Sequence, residues 1–227
     1  MTPRICVSIL PKNNLEALTL IEQAEKTQAE LIEVRMDYFE SSRNLIELAK
    51  STQIPLIATN KLVKEHGFFA GDESERQQTL LNAAKAGFQY VDVDLSSPLH
   101  QETIDKLKKL GAKTIVSYHQ FDGPLTSCEM EAVLEKEKSC CTNVCKIIGT
   151  AKKMDDNLAT LNFIASNSKV VNLVCFCMGD HGKVSRLMSP LFGAFFTFAS
   201  LESSSQTADG QMTVEEMRVA YKLLGAK

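Results

Sequence analysis

Short apolar runs alternate with amphipathic helical patterns along almost the whole chain. The helical patterns carry an apolar residue every three or four positions, as in Ile104, Leu107 and Leu110, and this one ends at Gly111. The apolar runs are too short for helices and are bounded by turn residues, which is typical of strands. The pattern predicts eight strands, over Arg4–Ile9, Leu31–Met36, Leu56–Ala58, Tyr90–Leu95, Thr114–His119, Val144–Gly149, Val170–Phe176 and Ala194–Phe198.

Eight strand–helix units in 227 residues fit a compact (β/α)8 barrel, and a doubly wound open sheet is the alternative. Strands covered by helices on both faces usually read as continuous apolar runs. Here Glu33 and Arg35 share one face of the second strand, and Asp92 and Asp94 share one face of the fourth. A barrel with a polar upper lumen accommodates these groups. The sequence therefore predicts an α/β protein with a single (β/α)8 TIM barrel over residues 1–227.

Composition and charge exclude several classes of function. The chain has 25 Lys and Arg against 28 Asp and Glu, so its net charge of −3 gives no basic excess for nucleic-acid binding. No apolar run approaches the roughly 20 residues of a membrane helix, and the first residues lack a signal-peptide pattern. Seven cysteines, an odd number, then indicate reduced thiols. We expect a cytoplasmic protein without a nucleic-acid or membrane partner.

Glu33, Arg35, His119 and Lys146 fall at or near the C-terminal ends of predicted strands, where barrel enzymes hold their active sites. Burial and neighbouring positive charge leave a lysine as a neutral amine, which can attack a carbonyl and form a Schiff base. A lysine that ends a strand and reaches solvent is an equal alternative, and a lone histidine is more often structural. Together, however, an amine that forms an iminium and a base that takes the adjacent proton make a coherent catalytic pair.

The loop after the seventh strand, from Met178 to Arg186, contains glycines and enters a helix, which is typical of an anion site. Arg186 could clamp a carboxylate or a phosphate through two parallel hydrogen bonds, although a surface arginine on a helix is commoner in general. The cysteines lack the paired spacing of zinc sites. Cys145 and Cys175 fit better as small buried residues that face outward beneath helices. We therefore expect no metal.

Four sequence blocks, in order and in approximate spacing, resemble one known family. They are Glu33-Val-Arg-Met-Asp-Tyr-Phe39, Val116-Ser-Tyr-His-Gln-Phe121, Val144-Cys-Lys-Ile-Ile148 and Ser185-Arg-Leu-Met-Ser-Pro-Leu-Phe-Gly193. The chain resembles the type I 3-dehydroquinate dehydratases of the shikimate pathway from Ile5 to Gln211. The resemblance implies a (β/α)8 barrel and a hydro-lyase that converts 3-dehydroquinate to 3-dehydroshikimate, in chorismate and aromatic amino-acid biosynthesis, without metal or cofactor.

The same resemblance implies roles for individual residues. Lys146 would form the Schiff base with the C3 ketone, His119 would take the C2 proton, and Glu65 would orient the histidine. Arg186 would bind the carboxylate, and Gln211 would belong to a lid over the substrate. The implied substrate-binding residues are Ser8, Glu33, Arg35, Lys61, Met178, Arg186, Thr207 and Gln211.

The chain departs from the family pattern in three places. Lys61 stands where the family usually has arginine, which keeps the charge but loses the fork geometry. Asp209 replaces a proline of the lid and adds negative charge near an anionic substrate. The first strand begins almost at Met1, so we expect the chain to lack the N-terminal hairpin that closes the barrel bottom in many members.

Two other interpretations stay open from the residues alone. A class I aldolase would use the same lysine but would more often bind a phosphate, and the residues around Arg186 do not distinguish phosphate from carboxylate. A barrel can also keep its pocket and serve as a binding or regulatory module. A homodimer and a fusion with shikimate dehydrogenase are known in the family, and composition tests neither.

Overall fold

The computed structural model describes residues 2–41, 43–203 and 209–226. Eight strands are present: β1 (Ile5–Ile9), β2 (Leu31–Arg35), β3 (Leu56–Thr59), β4 (Tyr90–Asp94), β5 (Lys113–His119), β6 (Val144–Thr150), β7 (Leu173–Met178) and β8 (Thr197–Ser200). The helices that follow them are α1 (Asn14–Lys26), α2 (Leu45–Lys50), α3 (Glu73–Ala86), α4 (His100–Lys109), α5 (Ser127–Ser139), α6 (Asp156–Asn167), α7 (Lys183–Met188) and α8 (Val214–Leu223). No described helix is long and apolar enough to cross a membrane.

All neighbouring strands are parallel, in the order β7-β6-β5-β4-β3-β2-β1-β8. The sheet therefore curls until β8 lies beside β1. No ladder joins β7 to β8 in the described part of the chain, although the Phe195 N–H donates to the Leu173 carbonyl at 2.8 Å across this seam. The arrangement confirms the predicted (β/α)8 barrel, with one seam unsealed. Among residues 2–41, β1 is the first element.

Two predicted strands start too early. The apolar run at Val170 led to a strand over 170–176, but Val170 lies in the turn after α6, is 77% exposed, and precedes β7. The run at Ala194 likewise begins ahead of β8. In both cases apolar residues continue from the strand into the connection, so hydrophobicity alone does not mark the first ladder residue.

Alternation of side chains divides the apolar residues between two layers. One cluster fills the lumen of the barrel and includes Cys6, Tyr90, Ile115 and Phe196. The opposite faces of the strands pack under the helices, and there Cys145 and Cys175 join residues of α5 and α6, which confirms their expected outward orientation. The lumen is therefore apolar at the N-terminal ends of the strands.

Five of the eight described α-helices, namely α1, α2, α3, α5 and α8, begin at a residue whose side chain caps the helix. Capping boxes form at Thr126 with Glu129 before α5 and at Thr213 with Glu216 before α8, and Asp72 caps α3 in the same way. These caps define where the loops after the strands end. In barrel enzymes such loops, at the C-terminal ends of the strands, hold the functional groups.

Candidate active site

A cavity of about 360 Å3 lies at the C-terminal ends of the strands. Nine of the eleven predicted site residues line it: Glu33, Arg35, Lys61, Glu65, His119, Lys146, Met178, Arg186 and Gln211. Ser8 is buried beside it and touches Glu33 instead. Thr207 lies outside the described residues.

The strand register places the polar side chains of the site next to one another. Asp94 of β4 pairs with Ser117 of β5, and Ser117 pairs with Lys146 of β6. Because alternate residues point inward, these groups stand directly above the apolar lumen. The polar face predicted for each strand thus becomes one continuous polar layer.

Lys146 is buried and its charge is matched. Its Nζ lies 2.9 Å from Oδ2 of Asp92 and 4.5 Å from the ring centroid of Phe198. The side chain does not reach solvent, so the alternative of a surface lysine is wrong. The structure also adds a partner that the sequence argument did not consider, the carboxylate of Asp92.

Lys61 binds the other oxygen of the same carboxylate. Its Nζ donates to Oδ1 of Asp92 at 2.9 Å, to Oγ of Ser117 at 3.0 Å, and to Asp94. Burial opposes the charge, but Asp92 and Asp94 outweigh burial and raise the pKa of Lys61. Burial also disfavours ionised Asp92, but Lys146 and Lys61 outweigh it, so the pKa of Asp92 lies well below its usual range.

Arg76 of α3 extends this chain of charges toward Glu65. Its guanidinium donates to Asp94, to Oε2 of Glu65 at 3.2 Å and to Oε1 of Glu73 at 2.6 Å. Ser96 donates to the other oxygen of Glu65 at 2.9 Å. Burial, followed by the charge of Asp94, raises the pKa of Glu65.

No hydrogen bond joins Glu65 to His119 in the described part of the structure. Both residues line the cavity, but the Glu65 carboxylate is bound by Arg76 and Ser96. Burial lowers the pKa of His119 well below its usual value, and Lys61 and Lys146 lower it further against the opposing Asp92 and Asp94. His119 is therefore neutral at neutral pH and can accept a proton.

Two aromatic residues beside His119 were missed by sequence reasoning. The ring of Phe121 stacks on His119 with centroids 5.9 Å apart and on His66 with centroids 4.0 Å apart. His66 has φ +58°, a left-handed conformation that is uncommon for a residue with a side chain. Phe121 falls inside a sequence block that carries the family resemblance, whereas nothing in the sequence marked His66.

The second strand contributes an acid and a base whose positions are fixed by neighbours. Ser8 and Thr59 donate to the two oxygens of Glu33 at 2.6 and 2.8 Å. Arg35 donates to both oxygens of Asp37, from Nε at 2.9 Å and from Nη2 at 2.6 Å. Such constrained side chains present a defined geometry to a ligand.

Arg186 of α7 is a buried cation with hydrogen-bonding groups that find no partner among the described residues. Its side chain is 2% exposed, and neither Nε nor Nη2 has a hydrogen-bond partner among them. The guanidinium lies 4.3 Å from the ring centroid of Phe176. Burial lowers the pKa of Arg186 to about 10, so it stays charged at neutral pH. Nε and Nη2 form the edge that binds a carboxylate or phosphate through two parallel bonds, and the alternative of a surface arginine is wrong.

A sequence profile of the type I 3-dehydroquinases matches residues 5–227. The chain belongs to the type I 3-dehydroquinase family. A 3-dehydroquinate dehydratase of Thermococcus gammatolerans is 35% identical over 96% of this chain and 98% of its own length, and one of Dehalococcoides mccartyi is 32% identical over 97% and 95%. This family is one of hydro-lyases in aromatic biosynthesis, so the assignment drawn from the sequence blocks is confirmed.

Solved structures agree with this membership. The type I 3-dehydroquinate dehydratase of Clostridium difficile, determined with covalently modified comenic acid, superimposes with a TM-score of 0.87 at 25% identity and covers 98% of this chain and 92% of its own. The barrel of a type I 3-dehydroquinase therefore extends over nearly all of the present chain.

The segment that the resemblance assigns to a lid is described from Asp209 to Gln211. The Gly179 N–H donates to the Asp209 carbonyl at 3.0 Å, which ties this segment to the end of β7. Gly210 has φ +74°, and a Cβ there would lie 2.1 Å from the Gly179 carbonyl oxygen, so the close approach requires glycine. Asp209 and Gln211 both line the cavity.

Proposed function

We propose that this protein dehydrates 3-dehydroquinate to 3-dehydroshikimate through a Schiff base on Lys146. The observation that carries the proposal is the open edge of Arg186 in the same cavity as Lys146 and His119. The three groups match the three features of the substrate, which are a carboxylate, a ketone and an acidic C–H bond. Family membership supports the same substrate.

Lys146 is the nucleophile of the first step, and its Nζ lies beside Asp92 at 2.9 Å. Its amine attacks C3 of the substrate, so that a C–N bond forms as the C–O bond breaks. The oxygen takes one proton from the attacking nitrogen and one from solvent and leaves as water, and a cationic iminium remains. Because the iminium withdraws electrons more strongly than a ketone, the neighbouring C2–H bond becomes more acidic. The buried position of Lys146 keeps the iminium away from bulk water.

His119 is the base for the second step. Its low pKa keeps it neutral, so it takes the C2 proton and the bonding electrons form an enamine. The enamine expels the C1 hydroxyl group, which receives a proton from the imidazolium and departs as water. Hydrolysis of the remaining imine releases 3-dehydroshikimate and Lys146. One molecule of water is lost overall.

The other lining residues orient the substrate in this proposal. Arg186 binds the carboxylate through Nε and Nη2, and these hydrogen bonds offset part of the free energy that burial of the guanidinium costs. Glu33 and Arg35 contact substrate hydroxyls from positions set by their own hydrogen bonds. Met178 and Gln211 cover the substrate from the β7 and lid side.

The test is turnover by the purified protein. The conjugated double bond of the product absorbs in the ultraviolet, so 3-dehydroquinate should give a rising signal, whereas sugar phosphates offered as aldolase substrates should give no cleavage. Lys146→Ala is the negative control. Turnover of a sugar phosphate without turnover of 3-dehydroquinate would contradict the proposal and favour an aldolase.

We also propose that the barrel is one catalytic domain acting in the cytosol without a metal. All seven cysteines are free in the structure, which supports a reducing compartment. Excess EDTA should leave kcat unchanged, because side chains supply every charge that the mechanism uses, and a loss restored by a divalent metal would contradict this. Light scattering would test the expected homodimer.

A further inference from the structure

Two lysines in the active site share a single carboxylate. Nζ of Lys146 lies 2.9 Å from Oδ2 of Asp92, and Nζ of Lys61 lies 2.9 Å from Oδ1 of the same carboxylate. Ser117 also donates to Oδ1 at 2.7 Å. The negative charge of Asp92 is therefore divided between two ammonium groups, and Lys146 has only a part of it.

Lys61 has no donor left for a ligand. An ammonium group offers three N–H bonds, and those of Lys61 are directed at Asp92, Asp94 and Ser117. Its side chain lines the cavity but is only 9% exposed. Arg186, in the same cavity, leaves two nitrogens without protein partners among the described residues. Arg186 therefore has hydrogen-bond donors for a ligand, whereas those of Lys61 are all used within the protein.

We propose that Lys61 is a positioning residue that holds Asp92 and Asp94 and thereby sets the electrostatic environment of Lys146 and His119, rather than a ligand of the substrate. The proposal rests on the proposed function and deepens it. Loss of the Lys61 charge would leave Asp92 to Lys146 alone and strengthen that ion pair. Asp92 would then hold Nζ of Lys146 more firmly, which makes the amine less available to the substrate ketone.

The same charge acts on His119. Among the neighbouring charges that keep the pKa of His119 low, that of Lys61 is the largest, after the effect of burial. Removing it lets the opposing aspartates favour the imidazolium form, which cannot act as a base. Among the described residues, the charged or titratable groups around His119 lie on three parts of the barrel. They are Lys61, Glu65 and His66 between β3 and α3, Asp92 and Asp94 of β4, and Lys146 of β6.

The test compares Lys61→Met with Lys61→Arg, which retains the charge, and with Lys64→Met. Lys64 is an exposed lysine three positions away, so its variant makes the same change in net charge outside the network. The first readout is the NMR titration of the imidazole of His119 in the ligand-free protein, which has four histidines. The second is the pH dependence of kcat/KM for 3-dehydroquinate.

We expect Lys61→Met to move the titration of His119 to higher pH and to lower kcat/KM about tenfold near about pH 6, with a smaller loss near about pH 8. KM should change by less than about threefold. Lys61→Arg and Lys64→Met should titrate like the wild type. Should Lys61→Met fail to fold, Lys61→Gln keeps an N–H donor toward the aspartates and removes the charge.

A large rise in KM with an unchanged titration of His119 would overturn the proposal and make Lys61 a substrate ligand. So would a wild-type His119 that titrates at the same pH as exposed His181. Since the titration needs no substrate, it decides the role of Lys61 even for a protein that does not turn over 3-dehydroquinate. Absence of turnover would contradict the proposed function separately.

Discussion

Arg186 and Lys61 are two buried cations in one cavity, and the protein around them treats them in opposite ways. Lys61 is surrounded by two aspartates and a serine, whereas Nε and Nη2 of Arg186 face no protein acceptor in the described part of the chain. A buried charge without a partner costs free energy, so its retention indicates a ligand that supplies the partner. A charge with a complete set of partners instead controls the electrostatics of its neighbours.

Removing Lys146 should break the site most completely, because the covalent step depends on it. Lys146→Ala should lower kcat by about 10⁴-fold or more, since no other nucleophile replaces the amine. Asp92 keeps Lys61 as its partner, so the variant should still fold, as a thermal unfolding scan would show. Lys153→Ala, at an exposed lysine, is the control. A variant with near-wild-type kcat would refute the role of Lys146.

Removing the base should have the next largest effect. His119→Ala should lower kcat by about 10²–10⁴-fold, the usual contribution of general acid–base catalysis. Steady-state kinetics with His181→Ala as the matched control would measure it, because His181 is an exposed histidine. An equal loss in the two variants would count against proton transfer by His119.

The two cations should respond to the same substitution with opposite changes in stability. Arg186→Met removes a charge with unpartnered nitrogens and should raise the free energy of unfolding by about 1–3 kcal/mol while raising KM about 10–100-fold. Lys61→Met leaves Asp92 and Asp94 underpaired and should lower the free energy of unfolding by about 3–5 kcal/mol. Urea unfolding and steady-state kinetics measure both quantities. Changes of the same sign in unfolding free energy would remove the distinction.

The smallest expected effect is a pH dependence of stability from His119. Its folded pKa lies below the unfolded value of about 6.5, so the unfolded chain binds the proton more readily. Stability from this group is therefore complete above about pH 6.5 and is lost as the pH falls below it. Urea unfolding of wild type and His119→Asn should converge toward acid pH. Parallel pH curves would show that His119 titrates alike in both states.

The barrel and most of the cavity lining could be predicted because they follow from local alternation. Glu33, His119 and Lys146 occupy inward positions of strands that the pattern of apolar residues already marked. The partners could not be predicted in this way. Asp92 pairs with Lys146 across an intervening strand, and Arg76 reaches Asp94 from a helix that carries no signal of buried charge. These contacts depend on barrel closure and side-chain reach, which periodicity does not encode.

Side-chain partners that the sequence does not encode also bear on the roles expected for Lys61 and Glu65. Family resemblance assigned Lys61 to substrate and Glu65 to His119, but the described contacts of both residues are within the charged network. A family resemblance identifies the equivalent residue in this chain. The role of that residue also depends on the neighbours with which it forms hydrogen bonds. Position 61 shows this most clearly, because the chain has lysine where the family usually has arginine, and lysine lacks the fork geometry of arginine.

Reductive trapping tests the central claim most directly. The protein is incubated with 3-dehydroquinate, reduced with borohydride and analysed by intact and peptide mass spectrometry. The account predicts one stable adduct, on the peptide that contains Lys146, and none in Lys146→Ala. An adduct on Lys61 or another lysine, or no adduct in folded protein that turns over the substrate, would contradict it.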